Sequence, residues 1–500
     1  MKSWVRTART ERGVALPLAL FALVMLSGLL LAFLSMSGME AEISANLTEV
    51  ARARYVAEAG VEWAYDQLAT DMNWNGILVG ADLNPNTLDD GRMTPGVLPA
   101  PLDNAAFGTF TATLRNDSGA GDAALTGQLA CNGQGASDCA GATTDTNGVV
   151  ILTAAGTYRG VTRQIQVVLR RLNLPPFPGS YSMPGTQADL WFQNSNFDID
   201  GRDWEYKCTA NCNDPNPFNR TYAYSQKADQ SKMKYGIATQ TGNQANLNPV
   251  QTYEQRAEFK LDNAAKRNNV IGKDQTNPAG STTGLNTVAP VDPATPEGLN
   301  SAKMQTFLTE LAKFQATKVY QSNLACAEDI SGTPVGIRMI ANGDDTKANL
   351  VTIKNTCGLN QEIDLGTVDK PALVYFKGDL DPTSSFAGVR TEGNKAIRGA
   401  GILIVEDGDF RVTSDFQWNG IVIVTGRYVS SIFESGGKAT IYGATVANET
   451  EGCEGGCPSS GTYWDGYFQS SNTVALRFSQ QALDLVQGRL LFKMSTWREL

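Results

Sequence analysis

The chain of 500 residues contains no histidine. Ser-His-Asp and Cys-His catalysis, histidine-ligated zinc and imidazole-based pH switching are therefore excluded. Positive charge is also scarce: 41 Lys and Arg against 51 Asp and Glu leave a net charge of -10. A net negative surface argues against general binding of nucleic acid or anionic membranes, which depends on clustered cations, and leaves room only for a local basic patch. Hydrophobic content of 42% is ordinary for a globular protein, and the length suits two to four domains.

Charge is missing altogether from Val14 to Met36, a run of 23 residues. A secretory signal has an apolar core of about 7 to 15 residues. This run is longer, and as a helix it matches the roughly 30 Å hydrocarbon core of a bilayer. Lys2, Arg6, Arg9 and Arg12 precede it and Glu40 and Glu42 follow, so the positive-inside rule puts the N-terminus in the cytoplasm and everything after about residue 40 outside. Beyond the span the helical pattern continues. Ile43, Leu47, Val50, Ala57, Val61, Ala64 and Leu68 step by fours and threes, broken only by Arg54, which predicts one helix from about Pro17 to Ala69, roughly 80 Å long. Pro17 falls in its first turn, where a missing N–H costs nothing.

A basic leader ending at Gly13, an apolar helix starting at once after it, and the continuation "AEISANLTEVARARYVAEAGVEWAYDQL" resemble the N-terminus of type IV pilins, most of all the PilX-type minor pilins, where a stretch like Ala57 to Gly60 recurs at this distance. The resemblance implies cleavage between Gly13 and Val14 by a prepilin peptidase, packing of the helices in a filament core, and other major and minor pilins and the inner-membrane assembly platform as partners. Before assembly the chain is expected in the inner membrane as a single-pass protein, with its exported part periplasmic or carried outside on the pilus. Major pilins usually have Phe at the first mature position and Glu at the fifth, where this chain has Val14 and Leu18. That glutamate neutralises the amine of the subunit above, since a charge in an apolar core must be paired. PilX-like pilins and the tip pseudopilin of type II secretion lack it too, which favours a tip or priming position.

The expected fold class is α+β: a long transmembrane and amphipathic helix, a small antiparallel pilin-like sheet, and a large all-β exported domain of parallel β-solenoid type. The expected divisions are a leader (1–13), the helix (14–70), the head (71–175) and the solenoid-like part (176–500). For the head, "FGTFTATLRN" alternates, and "GVVILTAAGTYRGVTRQIQVVLRRL" reads as two strands around "YRG". Further on, "GILIVEDGDFRV" is echoed 19 residues later by "GIVIVTGRYV", with "ATIYGATVAN" after a similar interval. Glycine-punctuated β units of about 20 residues suit a parallel solenoid, and an antiparallel sandwich would give similar spacing. "QADLWFQNSNFDIDG" and "ALVYFKGDLD" look like further coils. Residues 295–320 interrupt them with an amphipathic helix whose apolar face carries Leu299, Met304, Phe307, Leu308, Leu311 and Phe314, expected to shield an open edge. Some large competence-linked minor pilins, of the ComZ kind, carry such a solenoid on a pilin head.

Eight cysteines fall as four local brackets, Cys131/Cys139, Cys208/Cys212, Cys326/Cys357 and Cys453/Cys457, which suits loop-closing disulfides in an oxidising compartment; zinc held by the two CxxxC brackets is the alternative. Asn196, Asp198, Asp200 and Asp203 surround Gly201 in a pattern that suits either a structural calcium ion or a solvated turn, and Lys207 stands where an EF-hand needs glutamate. Trp204, Tyr206, Arg220, Lys232 and Lys234 mix aromatic rings with cations, as a site for single-stranded DNA or a surface glycan would, and as an ordinary disulfide-tied loop also would. Paired acids at Asp407/Asp409 and Asp379/Asp381 follow strands at turns, where Asp and Gly serve shape alone, so no enzyme and no other cofactor are expected. The functional expectation is a minor pilin at the tip that primes assembly and binds a surface or DNA. Its alternatives are a DNA receptor for transformation and a membrane-anchored envelope protein outside any filament.

Overall fold

The computed structural model describes residues 15–70, 74–85, 87–93, 107–119, 121–122, 125, 141–145, 147–186, 188–244, 249–274, 287–314, 318–330, 333–380, 386–427, 429–434, 436–450, 464–469 and 471–500. The chain is a mixed α+β protein that divides into two compact units, residues 1–169 with 494–500, and residues 170–493. The expected boundary at 175 thus falls at 169. The C-terminal residues, expected in the second domain, belong to the first.

One helix runs without a break over Ala15–Thr70, 56 residues or roughly 84 Å. Its first part, Ala15–Met36, has a mean hydropathy of 2.5 and no buried residue, and is long and apolar enough to cross a membrane. The second half lies on an antiparallel sheet of its own unit, ordered Arg92–Met93, Thr109–Asn116, Val149–Tyr158, Val161–Arg171 and Phe492–Glu499. Thr109–Asn116 alternates exposed and buried residue by residue, so Phe110, Ala112 and Leu114 share the covered face. Ala53, Ala57, Val61, Ala64 and Leu68 are buried on the helix side. The two meet closely enough that a Cβ on Gly156 would sit 2.2 Å from the Ala57 nitrogen, which is why the helix offers Ala and the strand Gly at the crossing. Arg159 and Gly160, both at positive φ, form the two-residue hairpin turn that "YRG" foretells. Phe492–Glu499 joins the edge: Leu172 N donates to Leu491 O and Leu500 N to Gln164 O, so it runs antiparallel to Val161–Arg171.

The second unit is built on parallel ladders. In one sheet Val270–Ile271, Phe197–Asp200, Val474–Phe478, Ala439–Glu449, Phe416–Gly426, Ile397–Glu406, Ala372–Lys377 and Val319–Gln321 pair in that order, all parallel. In the other, Phe386–Glu392, Phe410–Val412, Ser431–Phe433, Gly466–Phe468 and Leu190–Phe192 do the same. From Ile397 to Phe478 the chain alternates between the two sheets, and each return pairs with the one before. The segments read as further coils, Leu190–Asp200 and Ala372–Lys377, lie in these ladders, and the first of them stacks on the last return of the chain.

The 19-residue echo is the register itself: Gly401 pairs with Gly420 and Gly420 with Gly443. All three stand at positive φ, and a Cβ on Gly420 or Gly443 would lie 2.0 or 1.9 Å from the carbonyl oxygen of the glycine below, so only glycine fits this column. Leu403, Val405, Val422 and Val424 face the interior between the sheets. Their neighbours Ile402, Ile404, Ile421 and Ile423 face out, under the helices Ser301–Phe314 and Gln480–Arg489. Burial on both faces explains the unalternated "GILIV" and "GIVIV". The helix at 301–314 therefore covers a sheet face; edge shielding was the expectation, but its buried Met304, Phe307 and Leu311, with Leu299 just before it, pack on mid-sheet isoleucines.

Candidate functional site

Two regions hold the residues singled out for function. The first is the long helix, in the first unit. Its apolar seam divides: Ala57, Val61, Ala64 and Leu68 are taken up by the unit's own sheet, Val50 is half-buried, and Ile43 and Leu47 remain exposed. Leu18 is also exposed, as are thirteen other large apolar side chains from Leu16 to Met36, each by more than half. Covering one such side chain is worth about 1.5–3 kcal/mol, so leaving all of them in water would outweigh the roughly 5–15 kcal/mol that holds a domain folded. Lipid or other helices must cover this half. The processing positions Gly13 and Val14 lie outside the described residues.

The second region lies on the second unit. Trp204–Ala210 and Thr221–Gln226 form an antiparallel hairpin, tied near its end by the Cys208–Cys212 disulfide. It packs on the outer face of the parallel strands and abuts the start of the helix Gln480–Arg489, where Tyr206 N donates to Gln481 Oε1 at 2.9 Å. The Tyr224 ring stacks on Tyr442 at 4.0 Å, Tyr206 meets Tyr222 edge-on at 6.1 Å, and the Arg477 guanidinium sits 4.1 Å above Trp204. Gln417 Nε2 donates to the Tyr224 hydroxyl at 2.7 Å. Burial, opposed by hydrogen bonds from Asn419 and Gln417, pushes the Tyr224 hydroxyl up to about 12, and burial raises Tyr206 as well, so both rings are neutral donors at any physiological pH.

Between hairpin and sheet lies a cavity of about 360 Å³, walled by Arg220, Tyr222 and Tyr224 of the hairpin, the loop ending at Asp369, and Arg398, Gln417 and Asn419 of the sheet. Of the expected ligand residues, Arg220 lines this cavity, ion-paired with Asp369. Trp204 and Tyr206 are packed into the ring pile behind it. Lys232 and Lys234 line no part of it. Arg398, Gln417 and Asn419 were missed. The signal for Gln417 and Asn419 is the polar alternation of "FQWN", in which Trp418 points inward while they stand on the outer face.

The four residues read as a calcium set each have separate partners. Asp198 accepts from Arg477 at 2.8 Å; Asp200 from Arg202 and from Trp204 Nε1 at 2.9 Å; Asp203 from Lys227 at 2.8 Å and from Gln480 N; Asn196 Nδ2 donates to Ser471 O. Among the described residues the acids that converge are instead Asp82, Asp89 and Asp90 of the first unit, with oxygens within 4.8 Å of one another; Asp89 already accepts from the Ala81 and Asp82 amides. Asp409 is buried and accepts from Ser430 N at 2.7 Å, while Asp381 lies outside the described residues. The Cys208–Cys212 and Cys326–Cys357 bonds are formed; Cys131, Cys139, Cys453 and Cys457 are outside the described residues.

No protein-family model matches this chain, and no curated protein does. Among solved structures, the crystal structure of the competence-associated pilin ComZ from Thermus thermophilus is similar at 10% identity over 91% of this chain and 98% of that one, with a TM-score of 0.22.

Proposed function

We propose that the chain is a pilin-like subunit, a minor pilin of the PilX kind, which is cut after Gly13 and placed at the tip of a type IV pilus or related pseudopilus. One observation carries the reading: a single unbroken helix whose first 22 residues are bare and apolar all round, and whose second half is locked onto an antiparallel sheet of the same chain. A plain anchor needs no rigid continuation into a folded head. A subunit that must move from bilayer to fibre does, because a helix apolar on every side is equally at home in lipid and among its own kind, while the head keeps it upright. Leu18, where a shaft subunit would carry an acid, leaves no partner for an amine above it and supports the topmost position.

In this reading the parallel ladders are a β-solenoid, and the disulfides suit the oxidising compartment that the domain enters. Its role is structural and binding, in priming assembly and touching a surface or DNA, with other pilins, the prepilin peptidase and the assembly platform as partners. The test is made in a host with a type IV pilus. Wild-type chain is expected in the sheared filament fraction, with gold label at filament ends, and Gly13→Ala is expected to stay in the membrane. Equal retention of both in the membrane would favour an envelope protein outside any filament, and label along the shaft would remove the tip position.

A further inference from the structure

We propose that the cavity between the 204–226 hairpin and the parallel sheet is a saccharide-binding site, formed by Asn419, Arg398 and Gln417 on its floor and Tyr222 and Asp369 on its walls. The inference concerns the second unit alone and stands whether or not the chain enters a filament.

The floor is built and incomplete. Asn419 is only 6% exposed, yet its side-chain oxygen has no hydrogen-bond partner. Its amide group lies against the Tyr224 hydroxyl, the residue lines the cavity, and the unpaired oxygen itself is covered. Buried polar atoms in folded proteins are almost always paired, so this orphan leaves the packing beneath the cavity one hydrogen bond short. On the neighbouring strand, Arg398 is in register with Gln417, and its guanidinium makes no hydrogen bond or ion pair among the described residues. Opposite stand the half-exposed Asp369 carboxylate, which also takes the Tyr222 hydroxyl at 3.5 Å, and the Tyr222 ring. The Gln417 amide, a carboxylate, a fork of donors and a tyrosine in one small concavity match the chemistry of a ring that carries adjacent hydroxyl groups, each both donor and acceptor. The volume lies at the small end of the range of about 300–1,000 Å³ for ligand sites.

Charge separates this ligand from a polynucleotide. Arg220 and Asp369 cancel, which leaves Arg398 as the single unneutralised cation of the lining. A nucleic-acid strand needs a track of cations and free aromatic faces. Here Lys232 and Lys234 lie elsewhere, and one face of Tyr224 is already taken by Tyr442. A lone arginine suits at most one carboxylate, as on an acidic sugar.

The experiment is titration of the full chain, held in an amine-oxide detergent free of sugar headgroups, with galactose, N-acetylglucosamine, glucuronate and a single-stranded deoxythymidine oligonucleotide, read by saturation-transfer NMR. Saturable binding of a sugar in the millimolar range or tighter is expected, abolished by Tyr222→Ala. Arg398→Ala is expected to weaken it by about tenfold, the scale of one charge-assisted hydrogen bond to a sugar hydroxyl or carboxylate. Arg398 is exposed and its guanidinium has no hydrogen-bond or ion-pair partner among the described residues, so this variant reports on binding even where Tyr222→Ala fails to fold. No sugar binding up to roughly 10 mM, binding that Tyr222→Ala leaves intact, or binding of the oligonucleotide alone would overturn the assignment.

Discussion

Gly156 lies directly beneath Ala57: a methyl group added to the strand at Gly156 would stand 2.2 Å from the Ala57 nitrogen and 2.5 Å from the Ala53 oxygen of the long helix. Neither atom belongs to a side chain that could swing away. Gly156→Val should therefore push helix and sheet apart and cost about 1–3 kcal/mol or more. Urea unfolding of the full chain in detergent checks it, with Leu47→Ala as control, since Leu47 is exposed and its loss should leave the midpoint unchanged.

The glycine column of the second unit is equally strict. Gly420→Ala would place a carbon 2.0 Å from Gly401 O at a φ of 138°, which an L-residue rarely adopts. Loss of several kcal/mol, or failure to accumulate, is expected. Gly343→Ala, with nothing within 4 Å of the new carbon, should be near neutral in the same thermal melt.

A buried acid group sets a pH dependence. Asp465 is fully buried, its amide-accepting oxygen held by Asp189 N at 2.7 Å, and burial first, then the Asp189 carboxylate, raises it to about 8. Burial and Asp465 also raise Glu449 well above the ordinary range, while Asp189 is ion-paired with Arg256 and the buried Asp409 adds to the local negative charge. A carboxyl group raised on folding holds a proton that the unfolded chain releases above about pH 4, so its stabilisation is complete below that and is lost as pH rises towards 8. The urea midpoint of the second unit should fall between pH 5 and pH 8 by these rules, and Glu449→Gln should flatten the slope. A midpoint that rises over this window would contradict the burial of these acids.

The two bonded cysteine pairs should differ in weight. Cys326–Cys357 closes 31 residues of sequence separation and Cys208–Cys212 only 4. On loop entropy the first is worth about 3–4 kcal/mol and the second about 2, so Cys326→Ser with Cys357→Ser should lower the melting temperature more than the double serine variant of the short loop.

How far these features were legible in the sequence varied with the range of the interactions. The helix was plain, because an uncharged run and a step of three or four are local signals. So was the echo of Gly401 by Gly420, since stacked returns must repeat what only glycine can do. Three readings needed contacts far along the chain. Periodicity showed that Ala57 and Val61 share an apolar face, but not that this chain's own Phe110 and Val149–Tyr158 strand would cover it. The acids around Gly201 looked convergent until Arg477, 279 residues from Asp198, claimed one of them. The return of Phe492–Glu499 to the first unit's sheet has no signal in its own composition, since its partner strand precedes it by more than 300 residues. The cavity was half visible: Arg220 of the hairpin stood out, whereas Asn419 and Arg398 were hidden inside strands that otherwise read as core.

The central claim is that the bare half of the long helix begins a mature subunit rather than a permanent anchor. Co-expression with a prepilin peptidase, followed by mass spectrometry of the N-terminal peptide, tests it most directly. The account predicts a new terminus at Val14, lost in Gly13→Ala. An intact leader beginning at Met1, or a cut on the far side of Met36, would contradict it.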